Sequence, residues 1–321
     1  MSVIAVLGAT GIQGGSVVQQ LQKSPSWKIR AITRNSEGKS AKELQSQGIE
    51  VVQGDLDDVG SLEAAFQGST AIFTVTNFWQ SPAADADGLE QNGKREYQQI
   101  INVGRAASQI STLKHLIISS LPRPQKVSGG KHRVPHMDYK GRAVEEVETQ
   151  FPALAAKITS LWVGWYATNL AFFPTMKPLL WPAAGKYAWL MPSKPNGKVP
   201  IAGDVSRNVG VVVERILERP AQTQGKIVVL VVEYKDHTDV LKIWEKVTRK
   251  EAAYVELTDE AAAALIGPLA VEIGAQLRFS EEHPDWGTYE PERTVKLADI
   301  GLGSELSGLE DTLIRHSESL L

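Results

Sequence analysis

The sequence predicts an α/β protein with a doubly wound parallel sheet and a smaller, mostly helical C-terminal lobe. Three observations predict this fold. Short apolar runs alternate with stretches of helical spacing between residues 3 and 159. A glycine-rich turn joins the first apolar run to the first helical stretch. From residue 162 onward, aromatic and proline residues crowd the chain and the regular alternation stops.

The first half contains six apolar runs, each short enough to be a strand that a parallel sheet buries on both faces. We predict strands at 3–7, 29–33, 51–52, 71–75, 116–119 and 156–159, and helices at 13–22, 39–47, 61–67, 88–110 and 137–150. Strands that alternate with helices at this spacing require right-handed crossover connections, which build a doubly wound sheet.

The turn after the first strand has the pattern G-x-x-G-x-x-G and consists of Gly8, Ala9, Thr10, Gly11, Ile12, Gln13 and Gly14. Glycine at the first position permits a tight turn, and glycine at the second lets backbone N–H groups approach a pyrophosphate. Glycine at the third position lets the helix pack close to the strand, while the helix N-terminus faces the phosphates. This placement predicts a Rossmann fold that binds a dinucleotide.

The end of the second strand distinguishes between the two nicotinamide dinucleotides. An NAD site normally has Asp or Glu there to bind the ribose 2′-hydroxyl, whereas this chain has Arg34, with Lys39 on the following turn. These cations favour the 2′-phosphate of NADP(H), although Arg34 is alternatively a solvated charge at a strand end. After the third strand, Asp55 and Leu56 either contact the adenine or, for Asp55, cap the next helix.

The second half first forms an irregular lobe and then returns to the sheet. Its aromatic side chains line an apolar substrate pocket, form the core of the lobe or make a partner-binding surface. We predict a helix at 204–218, a strand at 226–232 and helices from residue 237 onward, with caps at Thr238 and Thr258 and a capping box at 307–310. The NADP(H)-binding domain is thus 1–161 with 204–233, and the substrate or partner lobe is 162–203 with 234–321.

Composition narrows the classes of function. The chain has 321 residues and a net charge of −3, so we expect no direct nucleic-acid binding. It has no cysteine, which excludes disulfides and thiolate chemistry, and no apolar run of the roughly 20 residues that span a bilayer. We expect a cytoplasmic or nuclear location, no membrane contact, no metal site, and a monomer or homodimer. Solvated or capping roles are expected for His115, His132, His237, His283 and His316.

Taken together, the motifs resemble the NmrA-like family of atypical short-chain dehydrogenase/reductases, and in particular its NADPH-sensing members. The residues that carry the resemblance are 8–15, Thr33-Arg34-Asn35, Lys42-Glu43-Leu44, Gln47-Gly48, Val51-Val52-Gln53-Gly54-Asp55, Val75-Thr76-Asn77-Phe78-Trp79, His136-Met137-Asp138-Tyr139-Lys140-Gly141 and 166–169. One departure is Gln91, which stands where the sensor-type pattern has a Lys.

The resemblance implies two further contacts with the nicotinamide half of the cofactor. Thr76, Asn77 and Phe78 are expected beside the ribose and nicotinamide at the end of the fourth strand; the alternative is a plain strand-to-helix loop. The loop after the sixth strand is expected to cover the ring with Gly164, Trp165, Tyr166 and Ala167, where core packing is the alternative for the tryptophan.

The proton donor of ordinary short-chain dehydrogenases is absent. Those enzymes place a Tyr four residues before a Lys, so that both lie on one helix face; here Lys140 is present but His136 occupies the Tyr position. Tyr139 cannot replace that residue, because adjacent helical residues point about 100° apart. Either His136 or Lys140 acts as acid, or His136 only caps the helix. Ser119 and Ser120 either orient a substrate carbonyl or simply end a strand.

Two functions therefore remain open. The first is an NADPH-dependent reductase of a small carbonyl, imine or activated C=C substrate. The second is a non-catalytic NADPH/NADP⁺ sensor whose partner is a regulatory protein, such as a transcription regulator. The intact cofactor motifs and the aromatic lobe favour the reductase, and the missing Tyr favours the sensor.

Overall fold

The computed structural model describes residues 2–81 and 85–321. The strands are β1 Ser2–Leu7, β2 Trp27–Thr33, β3 Glu50–Gln53, β4 Ala71–Thr74, β5 His115–Ser120, β6 Ile158–Val163, β7 Trp165–Tyr166, β8 Leu179–Trp181, β9 Lys186–Met191, β10 Lys198–Gly203, β11 Lys226–Leu230, β12 Glu233–Asp236, β13 Ala252–Glu256 and β14 Thr294–Lys296. The α-helices are α1 Ile12–Leu21, α2 Lys39–Ser46, α3 Val59–Phe66, α4 Ala86–Ser108, α5 Pro124–Val127, α6 Pro135–Gln150, α7 Pro152–Ala155, α8 Asn169–Phe172, α9 Val205–Glu218, α10 Pro220–Thr223, α11 His237–Thr248, α12 Asp259–Ile266, α13 Pro268–Glu282 and α14 Leu309–Arg315.

The largest sheet confirms the predicted fold class. Its eight strands lie in the order β14-β11-β6-β5-β4-β1-β2-β3, and every neighbouring pair is parallel. The chain leaves β1 toward β3 and then crosses back to β4 on the other side of β1. The sheet therefore has a topological switch point between β1 and β4, which is where open α/β sheets bind ligands.

Helices cover both faces of this sheet because its strands are apolar on both faces. In β1, Ile4 and Val6 pack with α1 and α9, whereas Ala5 and Leu7 pack with α3, α4 and α6. Glycine brings α1 and α9 together, since a Cβ on Gly210 would lie 2.2 Å from the backbone oxygen of Ser16. The helices on the two faces of the sheet therefore hold the carboxyl ends of its strands in fixed positions.

The lobe contains more strand than the sequence predicted. Two three-stranded sheets, β12-β10-β7 and β13-β9-β8, pack with α11, α13 and α14 around buried side chains that include Trp189 and Trp244. The expectation of helices alone from residue 237 onward was wrong, because β13 pairs with β9 and β14 pairs with β11 at the edge of the large sheet. The division of the chain into two domains stays a prediction.

Local details of helix capping were partly correct. Thr258 caps α12 by accepting a hydrogen bond from the backbone N–H of Ala261, as predicted. The predicted cap at Thr238 was wrong, since Thr238 lies inside α11, which begins at His237 and is capped by Asp236. The capping box at 307–310 was also wrong, because Gly308 occupies the N-cap of α14 and has no side chain to accept a bond.

The solvated or capping roles expected for the histidines were wrong for two of them. His115 and His237 are buried, and burial lowers the pKa of each imidazole to about 4. His115 forms a hydrogen bond of 2.7 Å with the Thr159 hydroxyl on the neighbouring strand. In the described part of the chain, no helix combines the length and apolarity that a membrane crossing requires.

Candidate functional site

A cavity of about 430 Å³ opens at the carboxyl ends of β1, β4, β5 and β6, beside the switch point. It brings together much of the predicted site. The predicted residues that line it are Gly11, Ile12, Gln13, Thr76, Asn77, Phe78, Ser119, Ser120, His136, Lys140, Gly164, Trp165 and Tyr166. Residues separated by more than 150 positions in sequence therefore share one cavity.

The glycine turn has the geometry that the motif predicts. Gly8 has a φ of +68°, a conformation that L side chains rarely adopt, and its carbonyl accepts a hydrogen bond of 2.8 Å from the N–H of Gly11. A Cβ on Gly14 would lie 2.2 Å from the Gly8 oxygen, so only glycine lets the helix pack this closely. Among the described residues, no acceptor pairs with the first free amides of α1, those of Ile12, Gln13 and Gly14.

The residues predicted for the adenosine end lie outside this cavity. Arg34 and Lys39 are exposed. Arg34 is close enough to Asp57 to lower the pKa of that carboxyl, although the hydrogen bond from Arg95 is the larger cause. Asp55 does not cap the next helix, because Asp58 caps α3 and the Asp55 carboxylate instead accepts from the Asp57 N–H.

The remaining predicted residues outside the cavity are Gly8, Ala9, Thr10, Gly14, Leu56 and Ala167. The first four belong to the glycine turn itself, and Ala167 is buried behind the cavity wall. Leu56 is half-buried and packs beside α3 and α4, on the same side as Asp55.

Lys140 lies on α6 and is held by two neighbours. Its ammonium donates to the hydroxyl of Thr76 at 2.9 Å and forms an ion pair with Glu96, which is only 1% exposed. The ammonium has three protons, so one remains available for the cavity. Sequence reasoning missed Glu96, although a signal existed: it occupies the apolar stripe of α4 in register with Leu89, Gly93 and Ile100.

His136 also lines the cavity, two residues into α6. Its Nδ1 is 2.6 Å from Oε1 of Glu272, a carboxylate that α13 brings from the lobe. Phe78 and Trp79 pack against the imidazole with ring centroids 5.8 and 5.5 Å away. No described residue forms a hydrogen bond with Nε2. The capping alternative was wrong, because His136 supplies no cap and its own N–H donates to Glu272.

Tyr139 points away from the cavity, as its helical position predicted. Its hydroxyl donates to Glu90 on α4, and its ring packs so closely against Gly93 that a Cβ there would lie 2.2 Å from the ring. Burial, followed by the hydrogen bond to Glu90, raises the pKa of this phenol. The position four residues before Lys140 therefore lacks the ordinary tyrosine, and Tyr139 does not replace it.

Two more polar groups face the cavity. The Gln13 amide donates a 2.5 Å hydrogen bond to the hydroxyl of Tyr166, which links the start of α1 to β7. Burial raises the pKa of this phenol. Ser120 is buried at the end of β5, and its Oγ has no hydrogen-bond partner among the described residues.

The wall opposite the sheet comes from the lobe, and sequence reasoning missed most of it. Its members are apolar or amide side chains: Phe173, Met176, Ile273, Gln276 and Trp286. A lone acid at Glu272 within the apolar stretch 269–273 was the one local signal that α13 faces something polar. No group of three or more His, Asp or Glu in residues 2–81 and 85–321 is arranged to hold a metal ion.

Comparison with known proteins agrees with the family that the sequence motifs resemble. A profile of the NmrA-like family matches residues 1–310. The NmrA-like family domain-containing oxidoreductase himF of Aspergillus japonicus is 28% identical over 295 residues, which cover 88% of this chain and 84% of the relative.

Two solved structures have the same fold. NmrA, a negative transcriptional regulator crystallised with NADP, gives a TM-score of 0.76 at 22% identity and covers 100% of this chain and 98% of its own. The NADPH-dependent quinone oxidoreductase QOR2 of Escherichia coli, crystallised with NADPH, gives a TM-score of 0.72 at 22% identity and covers 98% of this chain and 99% of its own.

Proposed function

The chain belongs to the NmrA-like family, and from this premise we propose that it is an NADPH-dependent reductase of a small, neutral carbonyl, imine or activated C=C substrate. One observation carries the proposal. The imidazole of His136 opens onto the same cavity as Lys140 and the unpaired amides at the start of α1. A proton donor, a cofactor-holding cation and a phosphate-binding helix end therefore share one space.

The residues present fit a nicotinamide dinucleotide phosphate. The amides of Ile12, Gln13 and Gly14 suit the pyrophosphate because they lie at a helix N-terminus and pair with no acceptor in the described part of the chain. The backbone around Gly14 leaves no room for a Cβ. Exposed Arg34 suits the 2′-phosphate, and the free ammonium proton of Lys140 suits a ribose hydroxyl. When bound, the nicotinamide supplies a hydride to an electrophilic carbon.

The cavity favours a neutral and largely apolar substrate. The charges that line it are paired within the protein, since Lys140 contacts Glu96 and His136 contacts Glu272. The other walls are aromatic or apolar apart from a few hydroxyl and amide groups. A charged substrate would lose its hydration without gaining an unpaired counter-charge, whereas a planar apolar one replaces water favourably.

His136 is the proton donor in this proposal. Its Nε2 is the ring nitrogen that has no hydrogen-bond partner in residues 2–81 and 85–321, and imidazole side chains are well suited to proton transfer near neutral pH. Lys140 remains a cofactor-holding residue, because Thr76 and Glu96 already accept two of its protons.

The test follows the loss of NADPH absorbance with a panel of ketones, imines and enones. We expect at least one substrate class to be turned over, and we expect His136→Phe to lower kcat by about 100-fold with cofactor affinity kept. His283→Phe, a histidine outside the cavity, is the matched control. Tight NADPH binding without turnover of any substrate would refute the reductase.

A specific observation favours a second candidate, the cofactor sensor. Strand β8 exposes Leu179, Leu180 and Trp181 by more than half each, and Phe172 nearby is 58% exposed. Exposed apolar groups of this kind are typical of protein-binding surfaces. A sensor must bind NADPH and NADP⁺ with different affinities or change shape between them. Equal affinities, together with identical hydrogen exchange in residues 172–181 for both forms, would exclude it.

A further inference from the structure

Glu272 is a buried carboxylate with one partner residue. It is 2% exposed and lies on α13, yet its Oε1 accepts two hydrogen bonds from His136, one from the backbone N–H at 2.8 Å and one at Nδ1 at 2.6 Å. No other described residue forms a hydrogen bond or ion pair with it. Because a carboxylate is rarely buried without a partner, this contact has to satisfy nearly the whole of its charge.

At 2.6 Å a proton must lie between Oε1 and Nδ1, since two lone pairs would otherwise face each other, and with Glu272 ionised that proton belongs to Nδ1. In the neutral ring, Nε2 is then the unprotonated nitrogen, and in the charged ring it carries the proton that faces the cavity. Phe78 and Trp79 pack against the imidazole and limit its rotation.

We propose that Glu272 is a positioning residue that fixes the tautomer and orientation of His136. The proposal rests on the proposed reductase function for its catalytic consequence. In the step concerned, the Nε2 proton moves to the substrate oxygen, nitrogen or carbon that holds the electron pair after reduction. The ring is left neutral with its proton on Nδ1, and solvent later returns a proton to Nε2.

A purely structural role for Glu272 predicts something different. The carboxylate also accepts from the first turn of α6, and any uncharged oxygen would serve that purpose equally well. Glu272→Gln removes the charge but keeps the size of the side chain. Because Oε1 accepts both bonds, an amide oxygen at that position accepts from both donors, whereas an amide NH₂ there donates to Nδ1 and loses the bond to the backbone N–H. The variant therefore permits either tautomer of the ring, where the carboxylate permits one.

Glu281 provides a matched control on the same helix. Its Oε1 accepts from the Ser193 hydroxyl at 2.9 Å and from the Lys194 N–H at 2.8 Å, so it ties α13 to a loop without contacting the cavity. Glu281→Gln is the same chemical change at a half-buried position of α13, and we expect no effect on His136.

The experiment measures ¹⁵N chemical shifts of the imidazole of His136 in the full-length protein, assigned by loss of the signal in His136→Phe. We expect the neutral ring to carry its proton on Nδ1 in the wild type and in Glu281→Gln, and to become a mixture of tautomers in Glu272→Gln. With a substrate in hand, Glu272→Gln should lower kcat at least tenfold while the Kd for NADPH changes less than threefold.

Two results would overturn the proposal: a neutral wild-type ring protonated on Nε2, or a Glu272→Gln variant with the wild-type tautomer and kcat. If Glu272→Gln does not fold, the wild-type spectrum alone decides between the tautomers. Absence of any turnover by the wild type would instead refute the reductase, and the spectrum would still test Glu272.

Discussion

Replacement of Gly14 by alanine tests the glycine turn most directly. A Cβ at this position would lie 2.2 Å from the oxygen and 2.4 Å from the carbonyl carbon of Gly8, and 2.8 Å from the nitrogen of Ala9. All three atoms belong to the backbone, so no side-chain rotation relieves the contact. The turn and α1 must separate by roughly 1 Å before ordinary van der Waals contact is reached.

Gly15 is the matched control because it is the next residue of the same helix. A Cβ there would meet its nearest atom, the oxygen of Ala9, at 3.5 Å, which is an ordinary contact. Overpacking of a well-packed site costs about 1–3 kcal/mol, and a rigid backbone obstacle favours the upper end. Gly15→Ala should instead stabilise the helix by up to about 1 kcal/mol.

Thermal unfolding and NADPH titration measure the two consequences. At about 2 °C for each kcal/mol, we expect Gly14→Ala to lower Tm by about 5 °C and Gly15→Ala to raise it by up to about 2 °C. Gly14→Ala should also weaken NADPH binding at least tenfold, because the displaced turn carries the phosphate-binding amides. Equal Tm values for the two variants would refute the packing argument.

The other predictions concern charged and titratable groups. Arg34→Ala should weaken NADPH binding at least tenfold, about 1.4 kcal/mol, and spare NADH, as measured by titration. Lys140→Met should lower the free energy of unfolding by about 3–5 kcal/mol because Glu96 is left buried without its cation. The double variant Lys140→Met with Glu96→Gln should recover most of this stability but not the affinity for NADPH. Burial lowers the pKa of His115 to about 4, so the unfolded chain binds a proton more tightly than the folded one, and the free energy of unfolding falls as pH decreases from 6.5 toward about 4. In denaturant titrations, this decrease should be smaller in His115→Gln by on the order of 3 kcal/mol.

Each of these has an outcome that contradicts it. Equal losses of NADPH and NADH affinity would remove the 2′-phosphate role of Arg34. Additive effects of the Lys140 and Glu96 substitutions on stability would show that the ion pair is not coupled. An unchanged dependence of unfolding free energy on pH in His115→Gln would mean that this imidazole does not titrate on unfolding.

The sequence by itself determined the features that depend on neighbouring residues. Apolar runs of strand length, helical periodicity and the glycine turn predicted segments that overlap seven of the eight strands of the large sheet, because each follows from local sterics and from burial repeated along one segment. The same local argument showed that Tyr139 cannot occupy the place of the missing tyrosine, since its direction on α6 follows from helix geometry.

Only the tertiary structure decided what those elements meet. Glu272 reaches His136 from a helix 136 residues away, and Glu96 reaches Lys140 across two packed helices. The lobe strands and the burial of His115 likewise depend on which distant segments pair. Such contacts are set by the packing of whole elements, and a sequence pattern within one segment carries no information about the partner that will cover it.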